Sequence, residues 1–278
     1  MDKINRHINK LKKDGFTIIE NILSEKDCAF FKNRSNQLLE KLLEKKKTTA
    51  IYSNSQRLMV PFKYDSHFFK LLYFKTVDKI LTKLLDEDYV IINHSALNRR
   101  ILKHKLLVAS RDKPRWHTDS RYLGGRRLDK GLSYIALLML DDFTKKNGAT
   151  LYVPKSHLLR KKPKRDGNYK HKIITGKKGS MLIFDSGLCH KAGGGTNLDD
   201  RWSICNYYGP WWMKPYFRFP DILGAKRMKK LNYNIKKLLH YYSTPPKNER
   251  KGKNTYERTR TLITSRYRYK RTRTDLYK

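Results

Sequence analysis

The feature that most constrains the fold is a succession of short β-rich runs between about residues 89 and 208. Ser133-Tyr134-Ile135-Ala136-Leu137-Leu138-Met139-Leu140 is almost entirely apolar. A run of this length without polar alternation predicts a strand covered on both faces. Residues 89–94, 99–108 in two pieces, 149–153, 180–185 and 201–208 read as further strands. Gly124-Gly125, Asn147-Gly148, Gly167-Asn168 and Gly193-Gly194-Gly195 supply the reversals between them. Many short strands joined by tight turns predict an antiparallel core, for which a jelly roll is the natural architecture.

Helices precede this core. Residues 1–13 read as a short polar helix, and Gly15 to Leu23 as a strand. Ser24 is a candidate N-cap, with Asp27 three residues on, for a helix running to about Lys47. Residues 48–65 read as irregular and polar, followed by a second helix over roughly Ser66 to Leu85. A last basic helix is expected over 226–242. The fold class expected is therefore mainly β with flanking helices, around a double-stranded β-helix (jelly-roll, cupin-like) core. One domain spans 1–243 in this reading. Its helical N-terminal part covers 1–88, its β core about 89–210, and its C-terminal helix about 226–242. Residues 244–278 form a basic tail with too little apolar content to build a core, expected to be disordered in isolation.

The formal net charge is +38. The last 35 residues carry twelve Lys/Arg and three Asp/Glu, so most of the excess lies upstream of the tail. Such a balance fits an anionic partner (nucleic acid, a membrane surface, an acidic substrate) or a compositional bias that leaves a solvated basic surface. Arg266-Tyr267-Arg268-Tyr269-Lys270-Arg271 interleaves cations with aromatic rings in the manner of nucleic-acid binders. No run of eighteen apolar residues suggests a membrane span. The start of the chain lacks the apolar stretch of a secretory signal. Cys28, Cys189 and Cys205 are far apart and odd in number, which suits a reducing cytoplasm better than a disulfide framework.

The chemistry gathers at Trp116-His117-Thr118-Asp119. In an extended segment His117 and Asp119 point to the same face, an imidazole beside a carboxylate. A further histidine on a neighbouring strand would complete a 2-His-1-carboxylate face on a metal, with open positions opposite. His190 follows the apolar run of 180–185 and is the candidate, although alone it reads more readily as a structural histidine. Arg201 follows His190 after a turn-rich reversal, and Ser203 shares its face. An Arg fork with a hydroxyl suits a carboxylate, while Asp199 or Asp200 could equally pair with Arg201. Trp116 and Trp202 alternate with these residues and are expected in the core. Arg121, Tyr122 and Gly124–Arg127 read as a substrate lid or a plain loop.

Taken together these residues resemble the phytanoyl-CoA dioxygenase family, from about Gly15 to about Tyr208 and most strongly over 115–205. The family's His-x-Asp, distal His and following Arg match His117, Asp119, His190 and Arg201. Its Asn-Gly…Pro-Gly-Ser-His segment resembles 147–157, with Lys155 where Gly is usual. Gly179-Ser180 stands where Gly-Asp is frequent, and Ala192 where some members carry a Ser that touches 2-oxoglutarate. The resemblance implies Fe(II) on His117, Asp119 and His190, and 2-oxoglutarate held by Arg201 with Ser203. O2 would be the oxidant, with release of succinate and CO2. It also implies a small or lipid-like substrate. Halogenating relatives replace the carboxylate ligand, so Asp119 implies hydroxylation or a related oxidation. The alternatives are a non-catalytic β scaffold binding nucleic acid or an anionic surface, and a cupin-like metalloenzyme that does not use 2-oxoglutarate.

Overall fold

The computed structural model describes residues 2–45, 50–52, 55–99, 114–120, 131–159, 161–194 and 200–243. Helix α1 (Lys3–Asp14) starts on Asp2, whose carboxylate accepts from the Ile4 amide, and stops at Gly15. Gly15 adopts φ 83, and its amide donates to Leu11 O at 2.9 Å. A Cβ there would sit 2.6 Å from His157 Nδ1, so only glycine lets the chain turn at that point into β1 (Phe16–Ile19). Ser24 caps α2 (Glu25–Glu44) through the Asp27 amide.

Residues 48–65, expected to be irregular, instead contain a hairpin of β2 (Ala50–Tyr52) and β3 (Ser55–Met59). The hairpin has no apolar alternation of its own. β3 is held by pairing Gln56–Met59 with Ser95–Asn98 of β4 (Val90–Asn98), a tertiary effect invisible to local pattern. The single helix expected over Ser66–Leu85 is also corrected. A 3-10 turn over Ser66–Leu71 breaks before α3 (Lys75–Leu85). The break directs the carbonyls of Leu71 and Leu72 outward, where they accept from Asn206 Nδ2 at 2.8 Å and the Tyr208 hydroxyl at 3.0 Å. A continuous α-helix would have used those carbonyls internally. Likewise the expected C-terminal helix is two: α4 (Phe219–Lys230), kinked at Gly224, and α5 (Tyr233–Leu238), capped by Asn232.

The remaining strands are β5 (Tyr134–Met139), β6 (Thr150–Tyr152), β7 (Lys172–Ile174), β8 (Met181–Asp185), β9 (His190–Ala192) and β10 (Trp202–Gly209). β7 was not anticipated, since Lys172-Ile173-Ile174 is too short to register as a pattern. The strand pieces expected over 100–108 lie outside the described residues, as does the tail from 244. Pairing is antiparallel throughout. A seven-stranded sheet runs β1-β8-β5-β10-β4-β3-β2 and a smaller one runs β7-β6-β9. This is the double-sheet core that the sequence predicts.

The large sheet is covered on both faces. Its outer face, with Trp202, Ile204, Tyr208 and Ala96, packs on Phe31, Phe62 and Leu81 from the helical layer. Its inner face, with Ile135, Met139, Leu182 and Phe184, packs on Ala149, Tyr152 and Ile174 from the smaller sheet. β5 contributes to both cores, which is why its sequence is apolar at successive positions. No described helix is long and apolar enough to cross a membrane.

Two tests follow from this packing. His94 on β4 is buried on the outer face, donating from Nδ1 to Asn206 Oδ1 at 2.6 Å and stacked on Phe62. His240 bonds Ile91 O at 3.0 Å. Burial pushes both rings down to about 4. Their neutral forms therefore favour the fold fully above the unfolded value near 6.5. That contribution is lost as pH falls from there through about 4, on the order of 3 kcal/mol for each ring. The unfolding temperature is expected to fall over that window, and His240→Gln should flatten the decline. Lys155 has φ 60 at the start of a 3-10 turn, a conformation costing a side-chain-bearing residue about 1–2 kcal/mol. Glycine at this position gives back part of that gain through its freer unfolded chain, about 0.4–1 kcal/mol. Lys155→Gly should therefore stabilise by about 0.5–1 kcal/mol in denaturant titration.

Candidate active site

His117 lies outside the named strands but pairs with the first residue of β9. Its amide donates to His190 O at 3.0 Å, and the His190 amide donates to His117 O at 2.9 Å. This reciprocal pair fixes the two backbones side by side and brings the imidazole centroids to 4.3 Å. The amide of Ser120 donates to Ser186 O at 3.0 Å, tethering the segment again beyond Asp119. Asp119 is thus held between two fixed points. Its carboxylate lies 4.0 Å from His117 Nε2 and 3.5 Å from His190 Nε2.

The second nitrogen of each ring sets the tautomer. His117 Nδ1 lies 2.9 Å from Arg115 O, and His190 Nδ1 lies 2.9 Å from Leu188 O. A carbonyl only accepts, so each Nδ1 carries the proton and each Nε2 presents a lone pair to the carboxylate. This is the orientation that a metal-bound histidine needs. Burial and the neighbouring His117 hold His190 down to about 4, so its ring is neutral at ordinary pH. Phe184 packs edge-on against His190 at 4.9 Å. One donor atom from each of His117, Asp119 and His190 lies within 4.8 Å of the others, a spacing that one ion can bridge. Among the described residues this is the one such group found.

Arg201 stands at the start of β10, backbone-bonded to Arg99 and to Asn98 Oδ1. Only 4% of it is exposed. Its guanidinium lies 4.1 Å over the Phe143 ring, and its Nε and Nη1 have no hydrogen-bond partner among the described residues. Asp200 accepts from Asn98 Nδ2. Asp141 is bonded to Lys32 and to the Trp202 amide, though its charge partly offsets that of Arg201. Burial and the adjacent Arg99 push the Arg201 guanidinium down to about 9. A buried cation with unused donors is costly, and a bound anion removes that cost. Arg99 fits beside it because residue 148 is glycine, at φ 76, where a Cβ would lie 2.7 Å from Arg99 Nε. Ser203, two residues on, is buried, with its hydroxyl 3.4 Å from Leu97 O, a weak bond.

Trp202 is fully buried on the outer face, donating to Asn36 Oδ1. Trp116 is buried outside both apolar cores, against Tyr169, His171 and the Lys191 ammonium. The expected lid over 121–127 lies outside the described residues. Sequence reading missed three inward-facing polar side chains of the large sheet, Arg57, Asn93 and Ser95. The signal for two of them was present. Asn93 and Ser95 stand at alternate positions, on the opposite face from His94 between them.

The family model described as phytanoyl-CoA dioxygenase matches residues 11–203. The uncharacterised protein Rv1501 of Mycobacterium tuberculosis is 28% identical over 239 residues, covering 82% of this chain and 84% of its own. Mb1539 of Mycobacterium bovis matches to the same extent. HygX from Streptomyces hygroscopicus, solved with nickel, 2-oxoglutarate and hygromycin B bound, has a TM-score of 0.59 at 15% identity. That match covers 81% of this chain and 95% of HygX. The epimerase SnoN, solved with Fe3+, alpha-ketoglutarate and nogalamycin RO, has a TM-score of 0.56 at 14% identity, covering 74% and 83%. At these identities the solved structures speak to the fold, and the family model speaks to descent. The chain belongs to the phytanoyl-CoA dioxygenase family, the non-haem iron oxygenases that depend on 2-oxoglutarate.

Proposed function

We propose that this protein binds Fe(II) through His117, Asp119 and His190 and holds 2-oxoglutarate with Arg201, hydroxylating a small molecule. The observation that carries this reading is the conjunction of three converging donor atoms with a buried guanidinium that has two nitrogens without partners among the described residues. A non-catalytic scaffold has no use for an unpaired buried cation. A metalloenzyme without the co-substrate leaves Arg201 equally unexplained. HygX and SnoN were solved with small natural products bound. That supports a small-molecule substrate and lends nothing to a nucleic-acid partner.

The protein's own part is positioning. The carbonyls of Arg115 and Leu188 hold both Nδ1 protons, so the two Nε2 atoms and the Asp119 carboxylate form one facial donor set. Arg201 offers Nε and Nη1 to the far carboxylate of 2-oxoglutarate, with Phe143 stacked beneath the fork to hold its plane. Ser203 is on the same face and can add a hydroxyl bond. Phe184 seals the side of His190 against water. When bound, iron with 2-oxoglutarate and O2 supplies an oxidant able to attack a substrate C–H bond, releasing succinate and CO2. An intact Asp119 favours oxygen insertion over halide transfer.

Succinate release from 2-oxoglutarate should require Fe(II), stop on chelation and resume when Fe(II) is added back. His117→Ala and Asp119→Ala should each lower it at least about a hundredfold, and undiminished turnover in both would sink the assignment. Arg201→Met should raise the KM for 2-oxoglutarate at least about tenfold. Its unfolding temperature without ligands should match or exceed that of the parent, because an apolar side chain replaces an unsatisfied buried charge.

A further inference from the structure

The inner face of the large sheet carries a second polar group, separate from Arg201. In the sheet register Ser95 lies between Met59 of β3 and Cys205 of β10, while Asn93 lies beside Tyr207. Arg57 lies beside Leu97, which in turn lies beside Ser203. Cross-strand partners share a face, so Arg57, Asn93 and Ser95 all point into the interior that holds the metal-ligand group. Asn93 is 4% exposed and Ser95 0%. Asn93 Oδ1 and Arg57 Nε are buried with no hydrogen-bond partner among the described residues, and the Ser95 hydroxyl faces the weakly bonding thiol of Cys205 across the ladder. Two such atoms on adjacent strands are unusual in a folded interior, where polar groups are normally paired.

Hydrogen bonds link this face to the segment of Asp119: the hydroxyl of Tyr207, the cross-strand neighbour of Asn93, lies 3.1 Å from Ser133 Oγ, which lies 2.6 Å from Ser186 Oγ, and Ser186 O accepts from the Ser120 amide. Burial raises the thiol of Cys205, the Arg57 charge opposes that rise, and the Asp119 charge adds to it. One side chain thus feels the guanidinium and the candidate metal carboxylate together. Asp119 likewise acts on Tyr207, the cross-strand neighbour of Asn93.

We propose that Arg57, Asn93 and Ser95 form the primary-substrate subsite. It would take a small polar metabolite bearing a carboxylate or phosphate and a hydroxyl or amino donor. This rests on the oxygenase reading and narrows it. Arg57 takes the anionic group. Asn93 Oδ1 is an acceptor and takes the donor, and the Ser95 hydroxyl serves either. A hydrocarbon chain in the same place leaves Asn93 Oδ1 and Arg57 Nε unsatisfied, so an acyl substrate is disfavoured.

The test is calorimetric titration of inorganic phosphate and of acetate into protein loaded with Ni(II) and 2-oxoglutarate, which keeps Arg201 occupied, and into metal-free protein. The parent is compared with Arg57→Gln, Arg57→Lys and, as a control for surface charge, Lys145→Gln. Arg57→Gln is expected to weaken the preferred anion at least tenfold, Arg57→Lys to retain most of the binding, and Lys145→Gln to change it less than twofold. The affinity for 2-oxoglutarate should stay constant across the set. Preference for phosphate or for acetate identifies the headgroup, and either supports the subsite. Equal anion binding by the parent and Arg57→Gln overturns the proposal. So does a loss of 2-oxoglutarate affinity in Arg57→Gln, which would move Arg57 into the co-substrate site. Failure of the parent to bind 2-oxoglutarate counts against the oxygenase reading alone, because the metal-free titration still decides whether Arg57 binds anions.

Discussion

Two backbone hydrogen bonds, exchanged between His117 and His190, are the constraint on which the site depends. They set the spacing of two imidazoles whose outer nitrogens are already engaged by carbonyls. They leave the carboxylate of Asp119, two residues along the same segment, little choice of position. Side-chain packing then refines an arrangement that the backbone has already imposed. The site is in this sense an extension of the smaller sheet by one residue, and the ligand chemistry is borrowed from ordinary antiparallel pairing.

The large sheet does two incompatible jobs by giving one to each face. On β10 the odd positions Arg201, Ser203, Cys205 and Tyr207 face inward, and the even positions Trp202, Ile204, Asn206 and Tyr208 face the helices. The outward set is fully satisfied. Trp202 bonds Asn36, and Asn206 and Tyr208 bond carbonyls of the broken helix. The inward set carries the unsatisfied atoms. The division is one of degree: His94 Nε2 on the outer face is also buried without a partner among the described residues, while the inner face gathers Arg57, Asn93 and Arg201.

Much of this was legible in the sequence, and the reasons are particular. His117 and Asp119 could be placed on one face because a strand repeats every two residues. β5 was legible because its apolar run matches a strand buried on both sides. Arg201 could be related to His190 because glycines between them force a reversal. What escaped was set by distant partners. The β2–β3 hairpin has no pattern of its own and exists because β4 offers it an edge. The break before α3 is made by side chains about 135 residues away. The three inward polar residues were missed for a related reason. Arg57 sits on that unforeseen hairpin, and the strand expected over 89–94 stops short of Ser95, so the face that Asn93 and Ser95 share went unread.

The pairing of β1 with β8 has a consequence for the order in which the chain assembles. Phe16 faces Phe184 across the ladder, so the first strand to be synthesised waits for one of the last. The turn at residues 156–157 has the same dependence. Ser156 Oγ accepts from the Cys189 amide at 2.8 Å, while His157 reaches back to Lys12 O at 3.1 Å. Contacts of such long range are slow to form because the loop they close must be ordered first. An emerging polypeptide therefore carries His117 for a long interval before the strand that aligns it exists. The His117–Asp119–His190 cluster is therefore a property of the finished molecule, assembled only once β9 has formed.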